Sequence, residues 1–447
     1  MNADLTGIMA VGTVAVLIGG GALALIVRGD LAPSGARATR SGGVAGDGAR
    51  IFLGAALGFG IVAFSIKLMV MAAIAALPEH TVAPLIAGRA AAPDDESGAF
   101  AGMAGIAPRP PVWRALPDTA PAPADNPTTP EKVALGQRLF HDARLSSDGR
   151  VSCASCHDVA AGNGADGRRT ALGVTGVPGP RNTPTVWNAA FQSVLFWDGR
   201  AASLEEQAAG PLLNPDEMGM PSLAAVADVV RADPSYREAF ARAFGSGEGI
   251  TGRTVAAAIA AYERTLVAAD TPYDRFVRGD ADALTPAQRR GMALFQTVGC
   301  VMCHSGPNFS GASVFPRRSP YWTFPGSGRE LAERYGLLAD KGRAAPGSRA
   351  GLWRVPSLRN VAVTAPYFHN GAVEDLGEAV RVMAATQLGA VVTDDSRQRT
   401  AAIWSPERAA FDTVGRRALS DQDVGDIVAF LGALTSDAVA ARLARRR

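Results

Sequence analysis

The sequence carries little charge and few cysteines, histidines and aromatic residues. Of its 447 residues, 19% are charged and 6% aromatic, and it has four cysteines and five histidines. Four cysteines are too few for a disulfide-rich scaffold, and a formal net charge of +2 gives no reason to expect nucleic acid as a partner. Because 47% of the residues are hydrophobic, a disordered or collagen-like chain is excluded. The length allows two or three folded domains.

Two long hydrophobic runs lie at the N-terminus. Residues 7–27 carry no charge, and residues 51–77 carry only Lys67. Each run is long enough to cross a hydrocarbon core of about 30 Å as a helix. The segment between them has four arginines and two aspartates, so the positive-inside rule assigns it to the cytoplasm and the rest of the chain to the far side. We predict a membrane anchor over residues 1–79; cleavage after the second run, which ends in small residues, is the alternative.

Residues 80–128 are rich in proline and alanine. Ten of the 29 prolines lie between Pro84 and Pro130. This composition predicts an extended, semi-rigid tether. The alternative is an ordered strap lying on the following domain, a role that would suit Trp113.

One helical unit occurs twice. Thr129-Pro130 predicts a capped helix start, the helix runs to Phe140, and Cys-Ala-Ser-Cys-His follows at 153–157. Thr285-Pro286 opens a second helix with a capping box, and Cys-Val-Met-Cys-His follows at 300–304. An amphipathic helix closes each half, with apolar faces formed by Ile259, Tyr262, Leu266 and by Ile427, Phe430, Leu434. We predict a mainly α fold with two cytochrome c-like haem domains in tandem, over residues 129–275 and 276–447.

The two C-x-x-C-H motifs predict covalent c-type haem. Two thiols one helical turn apart can add to the two vinyl groups of a haem, and the adjacent histidine then ligates the iron. The residues are Cys153, Cys156, His157, Cys300, Cys303 and His304. A zinc site, a redox dithiol and a disulfide are the alternatives. Covalent haem attachment in bacteria takes place outside the inner membrane, which agrees with the predicted periplasmic location.

The residues alone leave the remaining iron ligands open. Three histidines lie outside the motifs: His80 at the membrane edge, His141 on the helix before the first motif, and His369. Methionine is the other usual ligand. The methionines that could serve are Met218, Met220, Met292, Met302 and Met383.

From about Pro130 to Leu434 the sequence resembles the bacterial di-haem cytochrome c peroxidase/MauG family. Six ordered strings carry the resemblance besides the haem motifs. They are LGQRLF at 135–140, GPRNTPT at 179–185, FWDGRA at 196–201, EQAAGP at 206–211, VPSLRN at 355–360 and TAPYFHNG at 364–371.

The resemblance implies a role for several residues. The haem on His157 would be peroxidatic and the haem on His304 would transfer electrons, with Met383 as the distal ligand of the second iron. Glu217 and Gln207 would line the distal pocket of the first haem. Trp197 would lie between the haems. The residues that match the family's calcium site are Asn182, Thr364 and Pro366. His369 is expected to be structural.

One departure from the family pattern bears on function. Classical peroxidases of this family carry a histidine between the first haem motif and the GPRN string, and it caps the first iron until the second haem is reduced. Residues 158–180 contain no histidine here. The first iron is therefore expected to be open to peroxide without reductive activation, as in MauG. MauG itself has a tyrosine at the position of Met383, and the methionine points back to a peroxidase.

Three functional readings follow. The leading one is a membrane-tethered enzyme that reduces hydrogen peroxide to water with electrons from a periplasmic donor such as cytochrome c. The second is a MauG-like enzyme that uses peroxide to oxidise residues of a partner protein. The third is a non-catalytic electron-transfer cytochrome with two six-coordinate haems. Family members often form dimers, so a homodimer is a further expectation.

Overall fold

The computed structural model describes residues 113–160, 162–315, 319–395 and 418–445. Within these ranges the chain is rich in helix, as the repeat predicted. The helices are α1 Pro130–Phe140, α2 Cys153–Cys156, α3 Leu204–Leu213, α4 Leu223–Ala232, α5 Pro234–Phe244, α6 Gly252–Glu263, α7 Pro272–Val277, α8 Pro286–Val298, α9 Arg329–Arg334, α10 Leu376–Leu388, α11 Asp421–Gly432 and α12 Asp437–Ala444. Short 3₁₀ turns lie at Ala143–Leu145, Ala189–Phe191, Ala281–Ala283, Cys300–Met302 and Val361–Val363.

The described strands are short and form two small sheets. Strand β1 (Tyr321–Phe324) pairs antiparallel with β2 (Gly351–Arg354), so that Trp322 lies opposite Trp353. Strand β3 (Val391–Val392) pairs parallel with β4 (Ala418–Leu419). Neither sheet forms the centre of a core, and the prediction of a mainly α fold is confirmed for the described residues.

The predicted helix starts are present in both halves. The Thr129 hydroxyl accepts the backbone N–H of Lys132 at 3.3 Å, and Pro130 occupies the first helical turn. Thr285 and Gln288 form a reciprocal capping box at the start of α8. Each cap satisfies backbone N–H groups that a helix start otherwise leaves without partners.

Two main hydrophobic cores correspond to the two halves of the repeat. Helices α1 and α6 contribute Leu139 and Ile259 to the first core. Helices α8 and α11 contribute Phe295 and Phe430 to the second. All six predicted amphipathic residues are buried, which confirms the faces inferred from their spacing.

A glycine lies at the helix crossing of each core. A Cβ at Gly136 of α1 would lie 1.9 Å from the carbonyl oxygen of Ala258 in α6. A Cβ at Gly291 of α8 would lie 1.8 Å from the carbonyl oxygen of Asp426 in α11. Only a residue without a side chain allows the two backbones to approach this closely. The two halves therefore repeat their packing as well as their motifs.

The end of the predicted tether is an ordered strap. Trp113 packs edge-on against Tyr273 and Phe430 in the second core. Leu116 is fully buried, and its backbone N–H donates to the Asp274 carboxylate at 2.9 Å. Asn126 is held by Glu205, Lys132 and Ala257 in the first half. The tether prediction is wrong over residues 113–128, because apolar side chains and backbone hydrogen bonds attach them to both halves.

The C-terminal helix returns to the first half of the molecule. Val439 of α12 is buried in the first core, and Leu443 packs against that core. The predicted second haem domain, residues 276–447, therefore ends with a helix that packs into the first core.

The predicted membrane spans, residues 7–27 and 51–77, lie outside the described residues, as do His80 and the first part of the predicted tether. Within the described ranges, no single helix is long and apolar enough to cross a membrane. Helices α11 and α12, which meet at a bend of 94°, reach the required length and hydrophobicity only when the two are counted as one segment.

Candidate di-haem site

A single cavity brings the two C-x-x-C-H motifs together. Its lining includes apolar side chains of both cores, such as Phe140, Ile259, Phe295, Leu358 and Ile427. It also includes every residue predicted for the site: Cys153, Cys156, His157, Asn182, Trp197, Gln207, Glu217, Cys300, Cys303, His304, Thr364, Pro366 and Met383. The structure thus assembles around one cavity residues that lie as far apart as 153 and 383 in the sequence.

The two motif histidines are oriented in the same way. The Nδ1 of His157 donates to the carbonyl oxygen of Gly164 at 3.3 Å, and the Nδ1 of His304 donates to that of Phe309 at 3.2 Å. A backbone partner at Nδ1 fixes the tautomer and leaves Nε2 to bind iron. Burial lowers the pKa of His157, and it lowers the pKa of His304 to about 4. Both rings are therefore neutral, as metal ligation requires.

The cysteines do not have the properties of a redox dithiol or a zinc site. A reactive dithiol has a lowered thiol pKa. Burial instead raises the pKa of Cys153 to about 12, that of Cys156 to about 11 and that of Cys300 to about 12. The four cysteines form no disulfide with one another. Among the described residues, no group of three or more His, Cys, Asp and Glu side chains is arranged to hold a metal ion.

Glu217 provides a half-buried carboxyl group that lines the cavity. It follows α3, and the Asn214 side-chain amide donates to its Oε1 at 2.7 Å. Its backbone is fixed by a hydrogen bond from Val174 N to Glu217 O. Burial raises the pKa of Glu217, which the hydrogen bond from Asn214 partly offsets. Gln207 of α3 lines the same cavity.

Trp197 stands in an aromatic group at the wall of the cavity. Its Nε1 donates to the carbonyl oxygen of Asn182 at 2.8 Å. The His369 ring is edge-on to Trp197 at 6.5 Å and stacks on Trp353 at 4.1 Å. His369 also lines the cavity, and its buried Nε2 has no hydrogen-bond partner within the described chain. Sequence reasoning missed Trp353, which lies two residues before the VPSLRN string.

Two of the open methionine candidates line the cavity. Met383 lies on α10, and Met218 lies beside Glu217. Met220 and Met292 are buried in the first and second cores. His141 is exposed on the outer surface, with its Nδ1 at 2.9 Å from Gln137 O, and does not line this cavity. Met383 stays a prediction as the ligand of the second iron.

The three predicted calcium ligands lie at the cavity wall. Asn182 is held by hydrogen bonds to Arg168 O and from its own backbone N–H to His369 O. The Thr364 hydroxyl donates to Val361 O at 3.3 Å, and Pro366 follows two residues later. Amide, hydroxyl and carbonyl oxygens are ligands of the kind that calcium uses, and the site stays a prediction.

Arg354 is a buried cation that the sequence reasoning did not select. Only 6% of the residue is exposed, its Nε donates to the carbonyl oxygen of Phe196 at 2.7 Å, and it lines the cavity. No carboxylate within the described ranges forms an ion pair with it, and burial lowers its pKa to about 10. Buried charges in proteins are normally paired. In the sequence, the feature that could have drawn attention to Arg354 is its position directly before the VPSLRN string.

Glu263 is a further carboxyl group on the cavity lining, and it is buried. It ends α6, it is 5% exposed, and its Oε2 has no hydrogen-bond partner in the described chain. Burial raises its pKa to about 8, so the group is mostly protonated at neutral pH.

These residues fit covalently attached haem. Haem is a large apolar ring with two acidic propionates, and the cavity offers apolar walls, four cysteine side chains and two oriented imidazoles. The unpaired guanidinium of Arg354 suits a propionate. The motif residues would hold the two groups, with His157 and His304 as the proximal ligands.

Comparison with known proteins gives the same assignment. Residues 130–282 match the family model described as di-haem cytochrome c peroxidase. The chain is 40% identical over 319 residues to cytochrome c peroxidase Ccp of Escherichia coli, an alignment that covers 70% of this chain and 60% of that protein. It is 42% identical over 268 residues to the methylamine utilization protein MauG of Methylorubrum extorquens, covering 59% of this chain and 71% of that protein.

Solved structures agree. A crystal structure of a MauG-like protein associated with microbial copper homeostasis superposes with a TM-score of 0.59 at 32% identity, covering 74% of this chain and 96% of that one. The MauG-like protein thus shares its fold with most of this chain.

Proposed function

Because the chain belongs to the di-haem cytochrome c peroxidase and MauG family, we propose that it reduces hydrogen peroxide to water with electrons from a periplasmic donor such as cytochrome c. The observation that carries this proposal is the half-buried carboxyl group of Glu217, which lines the same cavity as the first haem motif. Cleavage of a peroxide needs a group that takes a proton from one oxygen and returns it to the other.

Glu217 is suited to moving this proton. Its raised pKa, caused by burial, brings the carboxyl group closer to the working pH than an exposed glutamate would be. The hydrogen bond from Asn214 at 2.7 Å occupies Oε1 and leaves Oε2 for the proton transfer. Gln207 would orient the bound peroxide through its side-chain amide.

The second half of the site would supply electrons. When bound, the c-type haems supply the iron at which peroxide is reduced and the redox centre that receives electrons from the donor. Met383 would be the sixth ligand of the second iron, a ligand that raises the reduction potential and suits an electron acceptor. Trp197, whose indole is fixed by its hydrogen bond to Asn182, would lie between the two centres.

A second function is favoured by one specific observation. Residues 158–180 contain no histidine that could cap the first iron. A permanently open first site is what a MauG-like enzyme needs to oxidise residues of a partner protein. Oxidation of cytochrome c at steady state supports the peroxidase, and a long-lived oxidised state without donor supports the MauG-like function.

We extend the proposal to location and accessory groups on the sequence alone. Residues 7–27 and 51–77 would anchor the protein in a bacterial inner membrane, with both haem domains on the periplasmic side. A calcium ion would bind Asn182, Thr364 and Pro366. Protease protection in sealed membrane vesicles and metal analysis after chelation test these two extensions separately.

The proposed function is tested by replacing Glu217 in the holoenzyme. We expect Glu217→Gln to lower kcat for peroxide-dependent oxidation of reduced cytochrome c by about 10²- to 10⁴-fold, the usual contribution of a general acid–base. Glu248→Gln is the matched control, because this glutamate is exposed and does not line the cavity. Equal activity of the Glu217→Gln variant and the wild type, with both haems loaded, would remove Glu217 from the reaction.

A further inference from the structure

A second cavity of about 410 Å³ lies on the outer side of the first core. It is half-enclosed, at the junction of the ends of α1 and α6 with the C-terminal helix α12. Its described lining contains no aspartate or glutamate. The polar side chains that line it are Gln137, His141, Tyr262, Thr265, Ser436 and Arg442. The cavity therefore combines a cation and several hydrogen-bonding groups without an opposing carboxylate.

Three of these groups have hydrogen-bonding capacity to spare. The Tyr262 residue is 7% exposed, and no described residue hydrogen-bonds its hydroxyl group. His141 uses Nδ1 for Gln137 O at 2.9 Å, which leaves Nε2. Arg442 donates only Nη1, to Val159 O at 3.3 Å. An oxygen atom with partial or full negative charge can accept hydrogen bonds from Tyr262 and Arg442, and the Nε2 lone pair of His141 can accept a hydrogen bond or a proton from an O–H group.

Aromatic side chains connect this cavity to the haem cavity. Trp187 lines both cavities, and the Arg442 guanidinium lies over its ring at 5.1 Å. The indole is fixed by a 2.6 Å hydrogen bond from Nε1 to Gly162 O. Phe140 of the haem cavity is edge-on to Tyr262 at 5.3 Å, which forms a second contact.

Trp187 also lies close to the proximal ligand. Gly164 O accepts hydrogen bonds from both His157 Nδ1 and Val186 N. The residue next to Trp187 is thus attached to the same carbonyl group as the first haem histidine. An electron that refills Trp187, after the indole has itself lost an electron toward the haem cavity, would enter on the His157 side of that cavity.

We propose that the second cavity binds a small phenolic reductant such as hydroquinone, and that Trp187 passes its electrons to the first haem cavity. The ring would pack against Trp187 and Tyr262, and the phenolic oxygen would accept hydrogen bonds from Tyr262 and Arg442. The described lining contains no carboxylate that would repel the electron-rich phenolic oxygen. This inference rests on the proposed peroxidase function.

The reaction balances with two phenols for each peroxide. Each phenol loses one electron through Trp187, its O–H bond breaks, and the proton passes to Nε2 of His141 and then to water. The O–O bond of hydrogen peroxide breaks as it takes up two electrons and two protons, and two water molecules form. Two phenoxyl radicals leave the second cavity.

The test compares two donors in the same holoenzyme. We expect Arg442→Gln and Tyr262→Phe to lower kcat/KM for hydroquinone at least tenfold relative to kcat/KM for reduced cytochrome c, which is too large for the cavity. Arg445→Gln is the matched control, since this exposed arginine at the end of α12 does not line the cavity. If the ratio of kcat/KM for hydroquinone to kcat/KM for cytochrome c is the same in both variants as in the wild type, the inference is overturned.

Binding gives a readout that does not depend on turnover. Benzoate has a ring and a charged oxygen but is not oxidised by the enzyme, so saturation-transfer NMR on the oxidised holoenzyme should detect binding that Arg442→Gln abolishes. Binding that is equal in the two proteins would contradict the site. Absence of cytochrome c turnover in the wild type would overturn the peroxidase function, whereas cytochrome turnover with unchanged hydroquinone kinetics in the variants would overturn only this inference.

Discussion

The helix crossing at Gly291 predicts opposite effects for the same substitution at two glycines. A Cβ at Gly291 would lie 1.8 Å from Asp426 O and 2.9 Å from the Cβ of Phe430. Gly425, on the other helix of this crossing, is exposed and would meet nothing within 4 Å. Gly291→Ala therefore forces α8 away from α11, and Gly425→Ala only improves the helix propensity of α11.

The magnitudes follow from these contacts. Normal contact between a Cβ and a carbonyl oxygen requires the backbones at Gly291 to separate by more than about 1 Å, and a gap of about 0.5–1 Å already forfeits a quarter to a half of a dispersion contact. Overpacking costs about 1–3 kcal/mol, and the gain from replacing a helical glycine is about 1 kcal/mol at most. We expect Gly291→Ala to destabilise the protein by about 2 kcal/mol and Gly425→Ala to stabilise it by about 0.5–1 kcal/mol.

Thermal unfolding of the holoenzyme, followed by circular dichroism and by the haem absorbance, is the assay. At roughly 2–4 °C per kcal/mol, Tm should fall by roughly 4–8 °C for Gly291→Ala and rise by roughly 1–4 °C for Gly425→Ala. Gly136→Ala should repeat the loss in the first core, where Ala258 O lies 1.9 Å from the added Cβ. An equal or raised Tm for Gly291→Ala would refute the close crossing.

Three further predictions concern buried charges. Asp274 forms a bidentate, fully buried ion pair with Arg359. Asp274→Asn should lower the free energy of unfolding by about 3–5 kcal/mol in urea, because it leaves the buried positive charge of Arg359 uncompensated. Arg354→Gln should lower the midpoint potential of at least one haem in spectroelectrochemical titration, since a positive charge beside the oxidised centre is lost. Arg354→Lys keeps the positive charge and should keep the midpoint potential close to the wild-type value. Glu263 binds its proton more tightly when folded, with a pKa of about 8 against an unfolded value of about 4.3, so stability should fall as pH rises between these values and Glu263→Gln should flatten that slope. Unchanged potentials, or an unaltered pH slope, would contradict these assignments.

The local features of the fold were predictable because they depend on neighbouring residues. Thr129 and Thr285 cap their helices through their own side chains, so a short sequence window contains the whole interaction. The haem motifs are equally local. The strap could not be assigned from its proline content, because Leu116 and Asn126 are held by partners more than 70 residues away.

Two residues of the site, Trp353 and Arg354, were not predicted because their roles depend on contacts between residues far apart in the sequence. Trp353 could be assigned to the site only from its stacking on His369 in the folded chain. Arg354 could be assigned only from its burial without a paired carboxylate among the described residues. The role of Glu217 came from the family resemblance, since a glutamate in a loop sequence has no local signature of burial. The second cavity depends on the return of α12 to the first core, which no repeat pattern indicates.

We predict that the first iron is accessible to peroxide in the resting enzyme. The most direct test mixes the fully oxidised holoenzyme, without any reductive pretreatment, with hydrogen peroxide and reduced cytochrome c in a stopped-flow instrument. We predict oxidation of cytochrome c from the first turnover, with no lag. A lag that disappears after partial reduction, or the absence of any spectral change on adding peroxide, would contradict the open site inferred from the missing histidine between residues 158 and 180.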